Sequence, residues 1–246
     1  MDYNHNKPPL VDPIPVTLGT PPSKLTVACV WYGTMYDRIY LERLRNMLQR
    51  HLHIPYELVC ITAREDLPEG IRAIPPTIPP ELCDGTDVVG NSIGWWAKID
   101  LFRPGLFGYD ERILFFDLDL VFTDVIDKFA YAQDPFCILP NFEPMREFSA
   151  HNSSIMLWTP SEKTEKIYTE FSPEVVETLH GDQCWIWRVL GDDNIRNYPK
   201  DWAVSYTYMQ KIVSSWQPTE NTCVIVFHAR PKPHEVNDKI IVENWK

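Results

Sequence analysis

Two carboxylates close an apolar strand pattern near the middle of the chain. The segment reads Ile113-Leu-Phe-Phe-Asp117-Leu-Asp119, so four apolar residues precede two aspartates that stand two positions apart. In an extended backbone residues i and i+2 face the same side, and we expect the two carboxylates to lie together. Such a pair repels unless a cation lies between them, and hard oxygen ligands suit Mn²⁺ or Mg²⁺. The motif therefore predicts a site for a metal ion or a phosphoryl group.

A second group of candidate ligands follows the last apolar run, Val224-Ile-Val-Phe-His228. An imidazole at the end of a strand can supply a nitrogen to the same cation, which favours His228 as a third metal ligand beside the two aspartates. Arg230 and Lys232 stand a few residues further on. Their cationic groups can contact phosphate oxygens.

The elements that must position these residues predict an α/β fold. An apolar strand at 25–31, a helix with Asp37 as its N-cap and a strand at 56–62 form a β-α-β unit, which favours a parallel sheet. The strand predicted at 112–116 is apolar at every position after Arg112, as in the middle of a sheet that is covered on both faces. Ligands collect at the carboxyl ends of such strands, where Asp117 stands.

The remaining pattern predicts a single domain of the Rossmann-like α/β class, with helices flanking the sheet. Residues 1–24 are rich in proline and are predicted to form an extended, poorly ordered arm, and residues 25–246 to form the domain. Residues 63–93 read as irregular. Further strands are predicted at 136–139, 153–158 and 223–228, and helices near 94–102, 162–170, 181–190 and 205–213.

Composition excludes some classes of protein and indicates a compartment. The 246 residues carry 23 Lys and Arg against 34 Asp and Glu, a net charge of −11, which argues against a protein that grips nucleic acid through a broad basic face. The six cysteines form no CxxC pair and several lie in apolar runs, as expected of buried thiols in a reducing cytosol. With no secretory signal and no membrane span in the sequence, we expect a cytoplasmic protein.

Two classes of enzyme place an Asp-x-Asp motif after such a strand. In nucleotide-sugar glycosyltransferases the pair holds a metal that bridges the diphosphate. In aspartyl phosphatases the first aspartate, here Asp117, is the nucleophile. The phosphatase motif usually opens its chain, whereas about 90 residues of β-α-β pattern precede Asp117 here, and this favours the transferase. A nucleotide-sugar-binding module without activity is the alternative outside the enzymes.

The ordered set of motifs resembles the retaining GT-A-fold glycosyltransferases, the family of glycogenin and bacterial lipopolysaccharide galactosyltransferases. The likeness is greatest to small bacterial and viral members and covers roughly residues 25–246. The motifs that carry it are Ala28-Cys-Val-Trp-Tyr-Gly-Thr-Met-Tyr36, Trp95-Trp-Ala-Lys98, Phe116-Asp-Leu-Asp119, His151-Asn-Ser-Ser154, Gly181-Asp-Gln183, Tyr198-Pro-Lys-Asp-Trp-Ala-Val-Ser-Tyr206 and Phe227-His-Ala-Arg-Pro-Lys-Pro233.

The resemblance implies a role for each matching residue. The metal would be held by Asp117, Asp119 and His228. The donor would be contacted by side chains from several motifs: Trp31 and Tyr36 at the base and ribose, Lys98 facing the donor, Asn152 at the sugar or acceptor, and Lys232 at the diphosphate.

Two further residues, Asp182 and Gln183, would lie near the donor sugar and the reaction centre. The family usually has a glycine soon after the tail histidine, whereas Ala229 and Arg230 follow here and the interval to Lys232 is short. Arg230 could therefore share or take the role of Lys232.

The activity implied by the resemblance is a metal-dependent hexosyl or pentosyl transfer. A nucleoside-diphosphate sugar, with UDP as the expected nucleotide, would donate the sugar to an acceptor hydroxyl with retention of configuration. The acceptor class stays open among a glycan, a protein, a small molecule and a modified nucleic acid.

Overall fold

A seven-stranded sheet forms the centre of the protein, and a smaller three-stranded sheet continues from its middle strand. The computed structural model describes residues 14–85, 93–142, 150–212, 219–228 and 230–246. The elements below are those of the described residues.

The large sheet contains seven strands: β1 Leu25–Val30, β2 Glu57–Ile61, β3 Ile71–Ile74, β4 Arg112–Phe116, β6 Phe136–Pro140, β7 His151–Trp158 and β8 Arg196–Asn197. The small sheet contains β5 Leu120–Phe122, β9 Ala203–Ser205 and β10 Val224–Val226. The α-helices are α1 Arg38–His51, α2 Glu162–Thr169, α3 Pro173–Thr178, α4 Asp182–Leu190, α5 Tyr206–Ile212 and α6 Lys239–Asn244. The 3₁₀ helices span Pro80–Leu82, Gly94–Phe102, Asp127–Tyr131, Asp192–Asn194 and Pro233–Glu235.

The strand order of the large sheet is β3-β2-β1-β4-β7-β6-β8. Strands β3, β2, β1 and β4 are parallel to one another, β7 is antiparallel to both of its neighbours, and β8 is parallel to β6. The predicted α/β fold with a mostly parallel central sheet is thus confirmed. Because the first four strands in this order run the same way, their carboxyl ends share one edge of the sheet.

Alternate residues of β1 explain why both faces of the sheet are covered. Val27 and Cys29 point to the face where Leu41 and Leu44 of α1 pack, while Ala28 belongs to the opposite core. That second core contains Trp96 of the 3₁₀ helix 94–102 and residues of α4. A strand buried on both faces must be apolar at every position, which accounts for the continuous hydrophobic runs.

Helix α1 begins as the sequence predicts. The Asp37 carboxylate accepts a hydrogen bond from the Ile39 amide at 3.1 Å, and this bond satisfies an amide that has no partner within the helix. The apolar stripe of α1, including Leu41, Leu44 and Leu48, is fully buried. The N-cap and the periodic stripe therefore act together to place the helix against β1.

The strands and helices predicted in the later part of the chain are confirmed, with ends that shift by two residues at most. The prediction that 63–93 is irregular is wrong for β3 and for the 3₁₀ helix Pro80–Leu82, which lie within this range, and residues 86–92 lie outside the described part of the chain. Strand β3 has four residues at an edge of the sheet, and its two middle residues, Arg72 and Ala73, are exposed. A strand this short and this exposed has no apolar pattern to reveal it. The elements β5, β8, β9, α3 and α6 are also absent from the prediction, because each has only two to six residues, too few to show a strand or helix period.

The described part of the proline-rich segment lies along the domain. The Val16 amide donates to Asn197 O at 3.1 Å, and the Gly19 amide donates to Tyr131 O at 2.8 Å. Residues 1–13 lie outside the described part of the chain. The boundary at residue 24 stays a prediction.

The passage from β4 to β5 connects the two sheets and contains both aspartates. Strand β5 pairs antiparallel with β10, and the Phe227 amide donates to Asp119 O at 3.1 Å. The tail motif is therefore held beside the Asp-x-Asp motif by main-chain bonds.

The six cysteines are free and buried, as the sequence predicts. In the ranges that the structure describes, no helix has the length and apolar character needed to cross a membrane.

Candidate active site

Five charged side chains meet at the carboxyl edge of the sheet. They are three carboxylates and two lysines, and they come from four separate segments of the chain: Asp117 and Asp119, Lys98, Asp182, and Lys232. All five were predicted as site residues, and they stand in separate motifs of the sequence. The fold brings these motifs together at one place.

Lys98 links two of the carboxylates. Its ammonium lies 3.0 Å from Asp117 Oδ1 and 3.1 Å from Asp117 Oδ2, and it donates to Ser153 Oγ at 3.2 Å. The Asp182 Oδ2 atom is 3.6 Å from the same ammonium, close enough for an ion pair. The 3₁₀ helix Gly94–Phe102 packs Trp96 and Ile99 into the core and so fixes the base of the lysine side chain.

Burial and charge act in opposite directions on this pair. Burial alone would lower the pKa of the Lys98 ammonium, but Asp117 and Asp182 outweigh burial and raise that pKa above its usual value. For Asp117, burial raises the pKa of the carboxyl, and the neighbouring Lys98 only partly offsets this rise. Lys98 therefore stays cationic at neutral pH and neutralises charge at the base of the site.

Asp119 has a different set of partners. Its Oδ2 atom accepts hydrogen bonds from the Tyr36 hydroxyl at 2.8 Å and from the Lys232 ammonium at 2.5 Å. Lys232 also donates to the Phe227 carbonyl oxygen at 2.9 Å. Burial first, and then the charge of Asp119, raises the pKa of the Tyr36 hydroxyl, so Tyr36 remains a hydrogen-bond donor.

Asp182 stands at the first position of α4, directly after Gly181. A carboxylate in the first turn of a helix is favoured by the partial positive charge there. The side chain is buried, and its Oδ2 atom has no hydrogen-bond partner among the described residues beyond the ion pair with Lys98. Gln183 follows it and is partly exposed.

The His228 side chain contacts Ser205 and Phe142. Its Nε2 atom forms a hydrogen bond with Ser205 Oγ at 2.7 Å, and its ring stacks on Phe142 with 5.6 Å between ring centroids. In the described part of the chain, no three His, Cys, Asp or Glu side chains converge as a metal site. The predicted ligands are thus neighbours through their backbones, without forming a coordination shell in this arrangement.

The donor set nevertheless suits a divalent cation. Asp117 and Asp119 supply hard oxygen atoms, and the backbone of His228 directly follows the Phe227 amide that is bonded to Asp119 O. Rotation of the His228 side chain would break its hydrogen bond with Ser205 and free the imidazole nitrogen. Movement of the Lys232 ammonium would expose Asp119 Oδ2. The residues therefore fit the predicted metal in type and in backbone position.

Arg230 and Lys232 separate in space although both were predicted as anion contacts. The Arg230 side chain is 76% exposed and pairs with Glu235, while Lys232 reaches into the site. The Lys232 amide donates to Glu235 Oε2 at 2.6 Å, so one glutamate holds this turn. Glu235 was not recognised from the sequence, where nothing separates it from other surface acids.

Trp31 lies in the core, not in the cleft. Its ring is 1% exposed, the Arg64 guanidinium lies 4.3 Å from the ring centroid, and its indole N–H donates to Tyr36 O at 2.9 Å. The ring therefore anchors the backbone of Tyr36. A ring covered in this way offers no open face to a nucleotide base.

Asn152 stands next to Ser153, the residue of β7 that contacts Lys98. Its Oδ1 atom accepts a hydrogen bond from the Ser154 amide at 3.0 Å, while Ser153 is the residue that contacts Lys98. Neighbouring residues of a strand face opposite sides, so the choice between Asn152 and Ser153 depends on the register of β7. Ser153 and Ser205 were both missed because a serine has no distinctive spacing.

Comparison with known proteins shows a similarity of fold to solved glycosyltransferases. No family model and no curated protein sequence matches the chain. The galactosyltransferase LgtC, in complex with donor and acceptor sugar analogues, aligns with a TM-score of 0.58 and 15% identity over 85% of this chain and 88% of its own.

Two further solved structures are similar. The glycosyltransferase GlyE of Streptococcus pneumoniae TIGR4 aligns with a TM-score of 0.56 and 12% identity, over 90% of this chain and 59% of its own. Mouse xyloside xylosyltransferase 1 aligns with a TM-score of 0.51 and 12% identity, over 85% and 99%. At these identities the likeness concerns the fold alone: the chain has the fold of the GT-A glycosyltransferases.

Proposed function

We propose that this protein is a glycosyltransferase that moves a hexose or pentose from a nucleoside-diphosphate donor, with UDP as the expected nucleotide, to an acceptor hydroxyl. One observation carries the proposal. Two lysines and three carboxylates are concentrated at the carboxyl edge of β4, in a fold whose similar structures are galactosyl- and xylosyltransferases. Ligands of open α/β sheets bind at this edge.

A divalent cation, Mn²⁺ or Mg²⁺, is part of the proposal. Asp117, Asp119 and His228 would hold it. When bound, the cation would act as a Lewis acid that stabilises the negative charge of the departing diphosphate.

The chain's own residues would do the rest of the work. Lys232 would contact the anionic diphosphate, because its ammonium lies on a flexible four-carbon chain at the edge of the site. Lys98 is buried against Asp117 and Asp182 and would hold these carboxylates in place. Gln183 and Asp182, at the start of α4, would flank the sugar, as the sequence motif implies.

The proposed transfer breaks the bond between the anomeric carbon and the diphosphate oxygen, and the electron pair leaves with the diphosphate. The acceptor oxygen forms the new bond on the same face, which retains the configuration. Its proton passes to an oxygen of the leaving diphosphate, so no strong protein base is needed. Holding both reactants in one cleft supplies the main advantage over free solution.

Thermal unfolding with a panel of nucleotide sugars tests this proposal. A true donor at about 100 times its Kd, with Mn²⁺ present, should stabilise the folded protein by about 2.7 kcal/mol. In a domain of this size that corresponds to a rise in Tm of about 5–10 °C. Asp119→Asn should remove the shift. Asp110→Asn should keep it, because Asp110 is exposed and precedes the other end of β4.

Release of free nucleoside diphosphate separates an enzyme from a binding module. The stabilising donor should be slowly hydrolysed by the wild-type protein, since water can take the place of the acceptor. Loss of this release in Asp119→Asn supports transfer. Donor stabilisation in both the wild type and Asp119→Asn would contradict the assigned site, and release of phosphate from a generic aryl phosphate would contradict the transferase.

A further inference from the structure

The Lys232 ammonium contacts two oxygen atoms and lies near an aromatic ring. It lies 2.5 Å from Asp119 Oδ2, 2.9 Å from the Phe227 carbonyl oxygen and 5.5 Å from the centroid of the Tyr36 ring. The lysine is 9% exposed. A carboxylate, a carbonyl and a π-face are groups that stabilise a cation, and here the cation belongs to the protein itself.

A metal ion held by Asp119 would lie next to this ammonium, whichever of the two carboxylate oxygens it bound. Two positive charges that close to each other repel strongly in a protein site, and the repulsion doubles for a divalent ion. We infer that Lys232 and a divalent cation compete for Asp119, so that binding of the cation releases the ammonium. This inference rests on the proposed function, because that proposal makes Asp119 a metal ligand.

The turn around Lys232 lets the side chain move while the backbone stays in place. The Lys232 amide is bonded to Glu235 Oε2, and Glu235 also pairs with Arg230. The 3₁₀ helix Pro233–Glu235 starts at the next residue. Rotation about the bonds of the Lys232 side chain is therefore enough to move its ammonium away from Asp119, while the backbone of Lys232 stays in place.

Competition at Asp119 sets an order of binding. The cation binds first and frees the ammonium, and the anionic donor then gains a lysine that was previously neutralised. An anion that arrives without the cation has to draw Lys232 away from a buried carboxylate. Donor affinity should therefore depend on the cation through Lys232 as well as through direct coordination.

Titration with Mn²⁺ alone, without donor or acceptor, measures the competition directly. Lys232→Met and Lys232→Gln should bind Mn²⁺ at least about tenfold more tightly than the wild type, because each removes the positive charge that the ion must displace from Asp119. Glutamine retains a donor for the Phe227 carbonyl and so guards against a folding defect in the methionine variant. Isothermal calorimetry gives both affinities.

Lys24→Met is the matched control. Lys24 pairs with Glu111 at the amino edge of the sheet, remote from the tail motif in the fold, and its loss changes the net charge by the same amount. Its affinity for Mn²⁺ should equal that of the wild type. A similar gain in Mn²⁺ affinity in Lys24→Met and in Lys232→Met would show a general charge effect and overturn the inference.

A second measurement uses the wild-type protein. Limited modification with an amine-reactive reagent, mapped by mass spectrometry, should label Lys232 several-fold more in the presence of Mn²⁺, while labelling of Lys24 stays constant. Equal labelling of Lys232 with and without Mn²⁺ would overturn the inference even if both Lys232 variants fail to fold.

The two proposals fail in different ways. If the wild type shows no donor stabilisation with Mn²⁺, the proposed function fails. If donor stabilisation is present but the Lys232 variants bind Mn²⁺ with wild-type affinity, only the competition between Lys232 and the cation is refuted.

Discussion

Lys98 contacts both carboxylate oxygens of Asp117, at 3.0 and 3.1 Å, and their side chains are only 10% and 23% exposed. The pair joins the 3₁₀ helix 94–102 to the end of β4. These two segments come into contact only when the chain is folded. Breaking it should affect both stability and donor binding.

Removal of the Lys98 charge should be costly. Lys98→Met leaves Asp117 and Asp182 without their shared counter-ion, and loss of one partner of a buried pair costs about 3–5 kcal/mol. We expect the lower end, because Asp117 is partly solvated and can take up a proton. Urea unfolding measures the change, and Lys24→Met, whose ion pair is more exposed, should alter stability little. Equal effects of the two substitutions would contradict the buried role of Lys98.

Asp100 should be required for stability through the loop that it holds. It is 0% exposed, and its carboxylate accepts hydrogen bonds from the amides of Thr77 and Ile78, at 2.7 and 2.9 Å, and from the Thr77 hydroxyl at 2.5 Å. Asp100→Asn replaces one acceptor oxygen with an amino group that faces donors, so unfolding should become easier by about 2–4 kcal/mol.

Thr77→Val provides the comparison for Asp100. It removes the hydroxyl bond to Asp100 and a contact with the Tyr168 hydroxyl but keeps both amide bonds, so its cost should be about 1–2 kcal/mol. If Thr77→Val were as harmful as Asp100→Asn in denaturant titrations, the amide bonds would not be the main contribution.

His151 should make the protein less stable in acid. Burial lowers the pKa of the imidazole to about 4, against a smaller opposing effect of Asp192. The unfolded chain takes up the proton near pH 6.5 and the folded chain only near pH 4. The unfolding free energy contributed by this group is therefore complete above about pH 6.5 and is lost as the pH falls to about 4, by roughly 3 kcal/mol in total.

His151→Gln isolates that contribution from the titration of the carboxylates. Glutamine does not titrate and can keep a hydrogen bond to Asn197, whose Nδ2 atom lies 3.1 Å from His151 Nδ1. Between pH 7 and pH 5 the variant should lose about 2 kcal/mol less stability than the wild type. Parallel pH profiles for the two proteins would show that His151 does not titrate in this way.

Trp31 should influence the site through Tyr36. Trp31→Phe keeps an aromatic ring in the core but loses the N–H bond to Tyr36 O, so stability should fall by about 1 kcal/mol beyond the change in packing. If the ring stacked on a nucleotide base instead, phenylalanine would keep the stability and weaken only donor binding. Unfolding in urea, with and without a stabilising nucleotide, separates the two results.

Much of the fold can be predicted from local patterns. The run 113–116 is apolar at every position because β4 is buried on both faces, and the stripe of α1 repeats with the helical period. Strand β3 and two strands of the small sheet, β5 and β9, have only three or four residues each, too few for a pattern to be recognised, and they obtain their stability from neighbours.

Some residues of the candidate site can be predicted from the sequence and others cannot. Asp117, Asp119 and Lys98 stand in motifs whose residue types suggest their chemistry, and the fold brings them together. Ser153 contacts Lys98, Ser205 contacts His228 and Glu235 contacts Lys232, but these three residues have no distinctive spacing in the chain. Only the register of β7 determines that Ser153 contacts Lys98 and that Asn152 does not.

The sequence by itself determined the order of β-α-β elements, the apolar core strand and the polar residues that follow it, because these depend on local periodicity and residue type. The tertiary structure alone decided the partners of the charges. Lys98 faces Asp117 and Asp182, Lys232 faces Asp119, and Arg230 remains at the surface. The physical reason is that an ion pair forms between segments that are distant along the chain, and its geometry exists only after the strands have taken their order in the sheet.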